Sequence, residues 1–390
     1  MDKILQNIKS TIEHSGFPLE HYIANILKQH GWQIITNRNY IDDIKGIERE
    51  IDILAYKIYT DNEENIQYLT SLMISCKKSK KHKWCFLTRD IDENERNINW
   101  TPYHYCTSDE RLKYMSEKHL DTVITSYITN EKVKELYSFD KMVFAYQQLS
   151  EPANDKERKQ NGIFCCVKND DIYNSISTTI KAIDSEKTSR LKAYGYEEKQ
   201  RYYTFHALSI FEGDMFSVHF DANSSIDVET ISDIKYLNRH IIGGVDDFYI
   251  VHFINKDIFE EKLSLYDSLH EENIKAQPKF ITEFYENIIK NREKVNLLWE
   301  KCAQELVEYI EVYARFYMTA EESKLDSSQL NYLYFPDKER LTLYIENDCY
   351  RKIIDELNAN KKLKVGINYI LEEYYRYSGE FIFSEGYNLF

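Results

Sequence analysis

Glycine and proline are scarce in this chain, 11 and 5 of 390 residues. With so few glycines there is no glycine-rich loop to wrap a phosphate, and Gly243-Gly244 reads only as a turn between apolar runs. Internal repeats and low-complexity tracts are likewise missing. The seven cysteines (Cys76, Cys85, Cys106, Cys165, Cys166, Cys302, Cys349) are odd in number, scattered and without a CxxC. That pattern excludes a disulfide framework and a zinc ribbon, and it suits a reducing cytoplasm. Histidines are dispersed with no HExxH, which removes the usual zinc reading. No stretch approaches the roughly 18 apolar residues of a membrane span. The opening MDKILQNIKSTIEHSG lacks a cleavage pattern, so a soluble, unexported cytoplasmic protein is expected. Positive charge is also in deficit: Lys+Arg 50 against Asp+Glu 65 gives a formal net charge of −15. Such acidity opposes sequence-independent binding to DNA or to an anionic membrane, so any nucleic-acid contact must be a local patch.

What is present is core-forming material, 43% hydrophobic and 14% aromatic, enough for one large or two ordinary domains. Phe17-Pro18 starts a helix, with Leu19, Tyr22, Ile23, Ile26 and Leu27 at helical spacing before Gly31. Three strand-like runs follow, 32–40, 48–56 and 67–77, with a polar hairpin connection at 60–64. From Cys85 to about Asn161 the pattern weakens into charged stretches such as 89–96, one helix near 108–120 and an apolar run at 142–146, which reads as an insertion. Ile172, Ile176, Ile180 and Ile183 mark a further helix, and strands are expected at 203–211, 215–220 and 248–254. A helical stretch from 256 to 274 closes this part. Beyond Pro278 a helical run of about 40 residues and a shorter one at 349–357 predict a mainly helical C-terminal region.

The segment that carries chemistry runs from Glu20 to Trp84. In Glu50-Ile51-Asp52-Ile53-Leu54-Ala55, strand alternation sends Glu50 and Asp52 to one face. In Leu72-Met73-Ile74-Ser75-Cys76-Lys77, the same alternation pairs Ser75 with Lys77. If the strands are hairpin neighbours, Asp52 lies beside Lys77, and Glu20 reaches them from the preceding helix. Carboxylates with a lysine are what phosphodiester hydrolysis needs. Hard oxygens hold Mg²⁺ at the scissile phosphate, and an ammonium group orients water or offsets developing charge. The lysines at 77, 78, 80, 81 and 83 form the one conspicuous basic run. Beside such a site, Lys78, Lys80, Lys81 and Lys83 are candidates for contact with a phosphate backbone, while Trp84 belongs more naturally to the core.

These residues resemble the PD-(D/E)xK nucleases of the restriction-endonuclease-like superfamily. The matching pieces are Gly16-Phe17-Pro18-Leu19-Glu20, Arg49-Glu50-Ile51-Asp52-Ile53-Leu54-Ala55 and Ile74-Ser75-Cys76-Lys77-Lys78-Ser79 with Trp84, in a stretch of about 70 residues that the resemblance covers. The resemblance implies an α/β restriction-endonuclease-like core (α-β-β-β-α-β, mixed central sheet) over residues 1–276, with an insertion at about 85–161. A mainly helical region at 277–390 follows. It implies a Mg²⁺- or Mn²⁺-dependent endonuclease acting on DNA, in restriction or anti-phage defence. Asp52 and Glu20 would be metal ligands, the backbone carbonyl of Cys76 would face the metal, and Lys77 would be the catalytic lysine.

One position departs from the family pattern: Ser75 stands where a glutamate is usual, and a hydroxyl is a weaker magnesium ligand than a carboxylate. Either Glu50 or Glu20 supplies the missing carboxylate, or the site has lost its metal and kept only the fold. In the second case the chain is a nucleic-acid-binding or protein-interaction module. An RNA-directed nuclease is a third reading. The C-terminal helices are the expected surface for a homo-oligomer or a partner protein.

Overall fold

The computed structural model describes residues 2–42, 46–92, 102–152, 163–193, 199–223, 225–242 and 245–386. The expected turn at Gly243-Gly244 and the charged residues 93–96 fall outside these. The chain divides into two compact units, Met1–Pro278 and Lys279–Phe390, two residues from the boundary expected at 276.

In the first unit, helix α1 (Asp2–Glu13) precedes α2 (Phe17–Gln29), which carries Pro18 in its first turn and buries Leu19, Ile23, Ala24, Ile26 and Leu27. It stops because Gly31 adopts a left-handed φ of 78°. The amide of Trp32 then returns to the Leu27 carbonyl at 2.9 Å, a closure that β-carbon sterics disfavour for other residues. Strands β1 (Gln33–Asp42), β2 (Ile47–Asp61) and β3 (Ile66–Lys78) form an antiparallel meander. Next come β4 (His82–Arg89), β5 (His104–Thr107), helices α3 (Glu110–Lys118), α4 (Leu120–Thr129) and α5 (Glu131–Tyr137), and strands β6 (Met142–Ser150) and β7 (Cys165–Val167). Helix α6 (Asp170–Ala193) leads to β8 (Gln200–Glu212), β9 (Met215–Phe220), β10 (Ile226–Ile231), β11 (Asp233–Ile242) and β12 (Val245–Asn255). Helix α7 (Phe259–Tyr285) follows and contains Pro278.

These strands build two mixed sheets. The larger has the order β1-β2-β3-β8-β12-β11, with β5 also paired to β8. Its centre is the parallel ladder of β3 on β8, in continuous register from Ile66–Gln200 to Lys78–Glu212. The smaller sheet has the order β10-β9-β4-β6-β7. Among the described residues of the stretch 85–161, β5 joins the large sheet, and β4 and β6 are interior strands of the small one. The sequence hides this because β5 and β4 find their parallel or antiparallel partners β8 and β9 about a hundred residues or more away.

One core joins the two sheets. Ile172, Ile176, Ile180 and Ile183 of α6 cluster with Leu69 and Met73 of β3, Phe205 and Ala207 of β8, and Trp84 and Phe86 of β4. Trp84 is fully buried and stacks on Phe211, with ring centroids 3.8 Å apart and planes 7° from parallel. On α7, Asn273 donates to the hydroxyls of Thr70 (2.8 Å) and Thr204 (3.2 Å), which fixes this helix on the central strands.

Among the described residues of the second unit, the expected helical run of about 40 residues is interrupted. Asn287 turns left-handed (φ 51°), a 3₁₀ turn occupies Ile288–Lys290, and α8 (Arg292–Ala314) starts with Asn291 as its cap. The stretch expected as one helix at 349–357 is split into α9 (Asp348–Arg351) and α10 (Ile354–Ala359). Helix α11 (Lys361–Tyr375) packs on α8. A three-stranded sheet of β13 (Leu330–Phe335), β14 (Arg340–Ile345) and β15 (Glu380–Glu385) was not expected; β14 pairs antiparallel with β13 and parallel with β15. The described residues of the region thus carry a small sheet beside a majority of helix.

Two of the backbone's passages from the large sheet to the small one, β3 to β4 and β8 to β9, run side by side. The turn after β3 and the turn after β8 are joined by Ser79 N–H to Glu212 carbonyl (3.0 Å) and Trp84 N–H to Asp214 carbonyl (3.0 Å). Gly213 sits at that junction, where a β-carbon would lie 2.5 Å from the Ser79 carbonyl oxygen and 2.5 Å from the Phe211 ring. The substitution Gly213→Ala should therefore lower the free energy of unfolding by about 1–3 kcal/mol. Urea denaturation followed by circular dichroism tests this, and an unchanged midpoint would show that the junction has slack.

Candidate active site

The antiparallel pairing of β2 with β3 ends at Ile53–Ile74, and the next two residues, Asp52 and Ser75, begin the site. In place of a further ladder bond, Asp52 Oδ2 accepts the amide of Cys76 at 2.6 Å and the hydroxyl of Ser75 at 3.3 Å. Lys77 Nζ stands 3.7 Å from the same oxygen. With Asp52 Oδ2 so occupied, Oδ1 accepts no hydrogen bond among the described residues. Both side chains are partly accessible, Asp52 at 20% and Lys77 at 31%, so the pair lies at a surface and a ligand can reach it.

Glu20 lies in the first turn of α2. Burial pushes its pKa up, the charges of Asp52 and Glu50 push it further, and Lys77 pulls it back. All four expected groups therefore share one electrostatic field. Glu20 accepts no hydrogen bond among the described residues. Glu50 is exposed and accepts a hydrogen bond from the Asn37 amide. Asn37 has a left-handed φ of 52° and sits on β1 between the pairs Thr36–Ile53 and Arg38–Ile51, opposite Asp52. No feature of the sequence singled out Asn37; asparagine tolerates this conformation better than most residues, but only the strand register shows that one is needed here.

Among the described residues, no group of three or more His, Cys, Asp or Glu is gathered closely enough to hold a metal ion. The expected trio of Asp52, Glu20 and Glu50 is thus not assembled as a ready cage. Asp52 Oδ1 and the Glu20 carboxylate are hard oxygens whose mutual repulsion a cation would relieve. Magnesium is commonly bound through one or two carboxylates, water and substrate phosphate, so the donor set fits that ion. The Cys76 thiol is buried, and burial, Asp52 and Glu20 together raise its pKa well above that of a free thiol. It stays protonated and is no nucleophile.

The lysine run separates into different environments. Lys78 pairs with Glu212 at 3.3 Å and donates to the Glu13 carbonyl at 3.2 Å, and Lys83 pairs with Asp214. Lys80 and Lys81 are exposed at the turn between β3 and β4 and have no acidic partner among the described residues. Glu212 and Asp214, which neutralise half of the flanking run, escape sequence reasoning because they reach the lysines only through the parallel pairing of β3 with β8 and β4 with β9. Trp84 has no access to a ligand, being buried in the core.

The fold and site define an α/β protein of mixed sheets with a carboxylate–lysine pair at the end of a strand ladder. Comparison with protein-family models, curated proteins and solved structures finds no match for the chain. No helix among the described residues is long and apolar enough to cross a membrane.

The Glu20 shift has a definite sign. Its folded pKa lies above its unfolded value, so its stabilising contribution is complete below the unfolded pKa and is lost as pH rises through the folded one. At neutral pH the charged Glu20 opposes folding. Glu20→Gln should then raise the melting temperature at pH 7 and shrink the gain in stability on acidification; an equal or lower melting temperature at pH 7 would contradict the electrostatic picture.

Proposed function

We propose that the chain is a Mg²⁺-dependent nuclease that hydrolyses DNA phosphodiester bonds. The observation that carries this reading is Lys77 Nζ at 3.7 Å from Asp52 Oδ2, within the field of Glu20 and where the strand ladder ends. A phosphate placed there meets a cation and two carboxylates at an accessible edge. Asp52 Oδ1 and Glu20 would hold the metal, joined by the Cys76 carbonyl. Bound there, magnesium supplies charge neutralisation at the phosphate and an acidified water. Lys77 orients the attacking water and offsets negative charge as the phosphate becomes pentacoordinate. Ser75 is a positioning residue, since its hydroxyl and the Cys76 amide hold Asp52 Oδ2 and leave Oδ1 without a hydrogen bond among the described residues. Lys80 and Lys81, exposed at the neighbouring turn, attract the phosphate backbone, while the acidic remainder of the chain restrains attachment elsewhere. A place in restriction or anti-phage defence is supported by the sequence resemblance alone.

A second reading has its own support. The described residues contain no three-ligand acid cluster, and Ser75 occupies a ligand position, as in a nuclease fold that binds without cutting.

Purified protein incubated with supercoiled plasmid and with structured RNA, in Mg²⁺ or Mn²⁺, separates these readings. Plasmid cleavage is expected, and Asp52→Ala and Lys77→Ala should each reduce it by about 100-fold or more. Preferential RNA cleavage would reassign the substrate. Failure to cut either substrate, together with no heat of Mg²⁺ binding, would leave the binding module. In either case Lys80→Ala with Lys81→Ala should weaken DNA binding and flatten its salt dependence.

A further inference from the structure

We propose a second reactive site, distinct from the Asp52–Lys77 pair: in a cleft at the seam of the two sheets, the side-chain amine of Lys235 captures a small, uncharged hydroxy-aldehyde or hydroxy-ketone as an imine. The cleft measures about 390 Å³, within the roughly 300–1,000 Å³ of small-molecule pockets. Its walls come from β4, β9 and β10 of the small sheet, β11 of the large one, α7, and the turn from α5 into β6. β10 and β11 are the outermost strands of their sheets and follow one another in the chain, and the cleft lies along that passage.

Three lysines line the cleft, and two of them are held as ions. Lys141 pairs with Glu229 at 2.8 Å. Lys262 pairs with Glu135 at 2.7 Å and with Asp233 at 3.3 Å. Burial works against the charge of Lys262, but these two carboxylates outweigh it and raise its pKa. Lys235 forms no ion pair among the described residues. Its Nζ donates to the backbone carbonyl of Glu135 and stands 5.8 Å from the centroid of the Phe139 ring.

This difference in partner decides which lysine reacts. A carboxylate keeps its lysine protonated, and an ammonium has no lone pair to give. A carbonyl accepts from an ammonium and from a neutral amine alike, so the bond that anchors Lys235 survives loss of a proton. Burial also pulls the Lys235 pKa below that of a free lysine; Asp233, Glu135 and Asp140 push the other way, and Lys262 adds a further pull downward. Desolvated lysines of this kind are the ones that attack carbonyl groups.

The surroundings also suit the product. Asp233 Oδ2 accepts from His252 Nε2 at 3.0 Å, and the Tyr266 hydroxyl lies 3.0 Å from His252 Nδ1. Burial opposes the Asp233 charge, but His252 and Lys262 overcome it and lower its pKa. Asp233 therefore stays ionised and favours a positive charge on Lys235. In the reaction the Nζ lone pair bonds to the carbonyl carbon and the C=O π pair moves to oxygen. Two protons pass from Nζ to that oxygen, which leaves as water while the nitrogen lone pair closes the C=N bond. An ammonium and a carbonyl compound thus give an iminium and water, with charge conserved. The remaining N–H still donates to the Glu135 carbonyl.

Charge and hydrogen bonding set the class of ligand. Among the described lining residues, Glu135, Asp140, Glu229 and Asp233 face the three lysines, so a keto acid is repelled. The Ser138 hydroxyl and the Asp140 carboxylate line the cleft without a hydrogen-bond partner among the described residues, and they suit a ligand hydroxyl. The site stands apart from the candidate active site: β11 lies three strands beyond β3, about 14 Å across the sheet.

The full chain is incubated at neutral pH with glycolaldehyde or dihydroxyacetone, or with pyruvate as the anionic control, and with sodium cyanoborohydride, which traps an imine as a secondary amine. Peptide mass spectrometry then locates the adduct. Saturable labelling of Lys235 by a neutral probe is expected, about tenfold or more faster than that of the exposed Lys80, with little from pyruvate. Lys235→Arg should remove the saturable component. If that variant is not folded by circular dichroism, the adduct map and saturation of the unsubstituted chain decide alone. Asp52→Ala should be labelled as the unsubstituted chain is, whether or not the proposed nuclease centre is active. The proposal is overturned if Lys235 is labelled no faster than Lys80, or if its labelling rises linearly with probe concentration. It is equally overturned if pyruvate labels Lys235 as well as the neutral probes do, or if labelling is lost in a folded Asp52→Ala.

Discussion

The parallel ladder between β3 and β8 is the constraint on which the rest of the first unit depends. Thirteen consecutive residue pairs, from Ile66–Gln200 to Lys78–Glu212, join segments more than 120 positions apart. Both strands then leave the large sheet together and resume as the parallel pair β4 and β9 in the small one. Contact order this high is slow to form, because the intervening loop must close before the ladder contributes. Once formed, it fixes the junction at Gly213, the stack of Trp84 on Phe211 and the positions of Glu212 and Asp214 beside the lysine run.

The candidate site follows from where a second ladder stops. Pairing of β2 with β3 ends at Ile53–Ile74, so the Cys76 amide would lack a strand partner on that side; the carboxylate of Asp52 receives it. A strand end of this kind is a natural place for a reactive group, since the side chain does structural service with one oxygen and leaves the other without a hydrogen bond among the described residues. The same economy creates tension. Glu20, Asp52 and Glu50 share a field with a single lysine, and Glu20 shows it in a raised pKa. Like charges held together at the expense of stability are common where a cation or a substrate is to be received.

Much of the local structure was legible in the sequence. The apolar period of α2, its Pro18 start and Gly31 stop, and the alternation of β2 and β3 are local signals that neighbouring residues generate and that packing reinforces. Asp52, Ser75 and Lys77 were legible as companions for the same reason, since a hairpin brings nearby residues together in a fixed register. The small sheet was not legible. Its strands come from residues 82–89, 142–150, 165–167, 215–220 and 226–231, and nothing in any one of them specifies the other four. Likewise the break at Asn287 and the three-stranded sheet of the second unit depend on packing that outweighs local propensity.

By itself, then, the sequence determined an acidic, cysteine-scattered α/β chain with a carboxylate–lysine pair on adjacent strands, because periodicity and hairpin register operate over a few residues. Tertiary structure alone decided that Lys78 and Lys83 are tied to acids while Lys80 and Lys81 stand exposed. It also decided that Asn37 draws Glu50, and that Arg190 lies over the buried Tyr203 ring. The lysine pairs join residues more than 130 positions apart, and charge carries no record of its partner until the backbone has brought the two together.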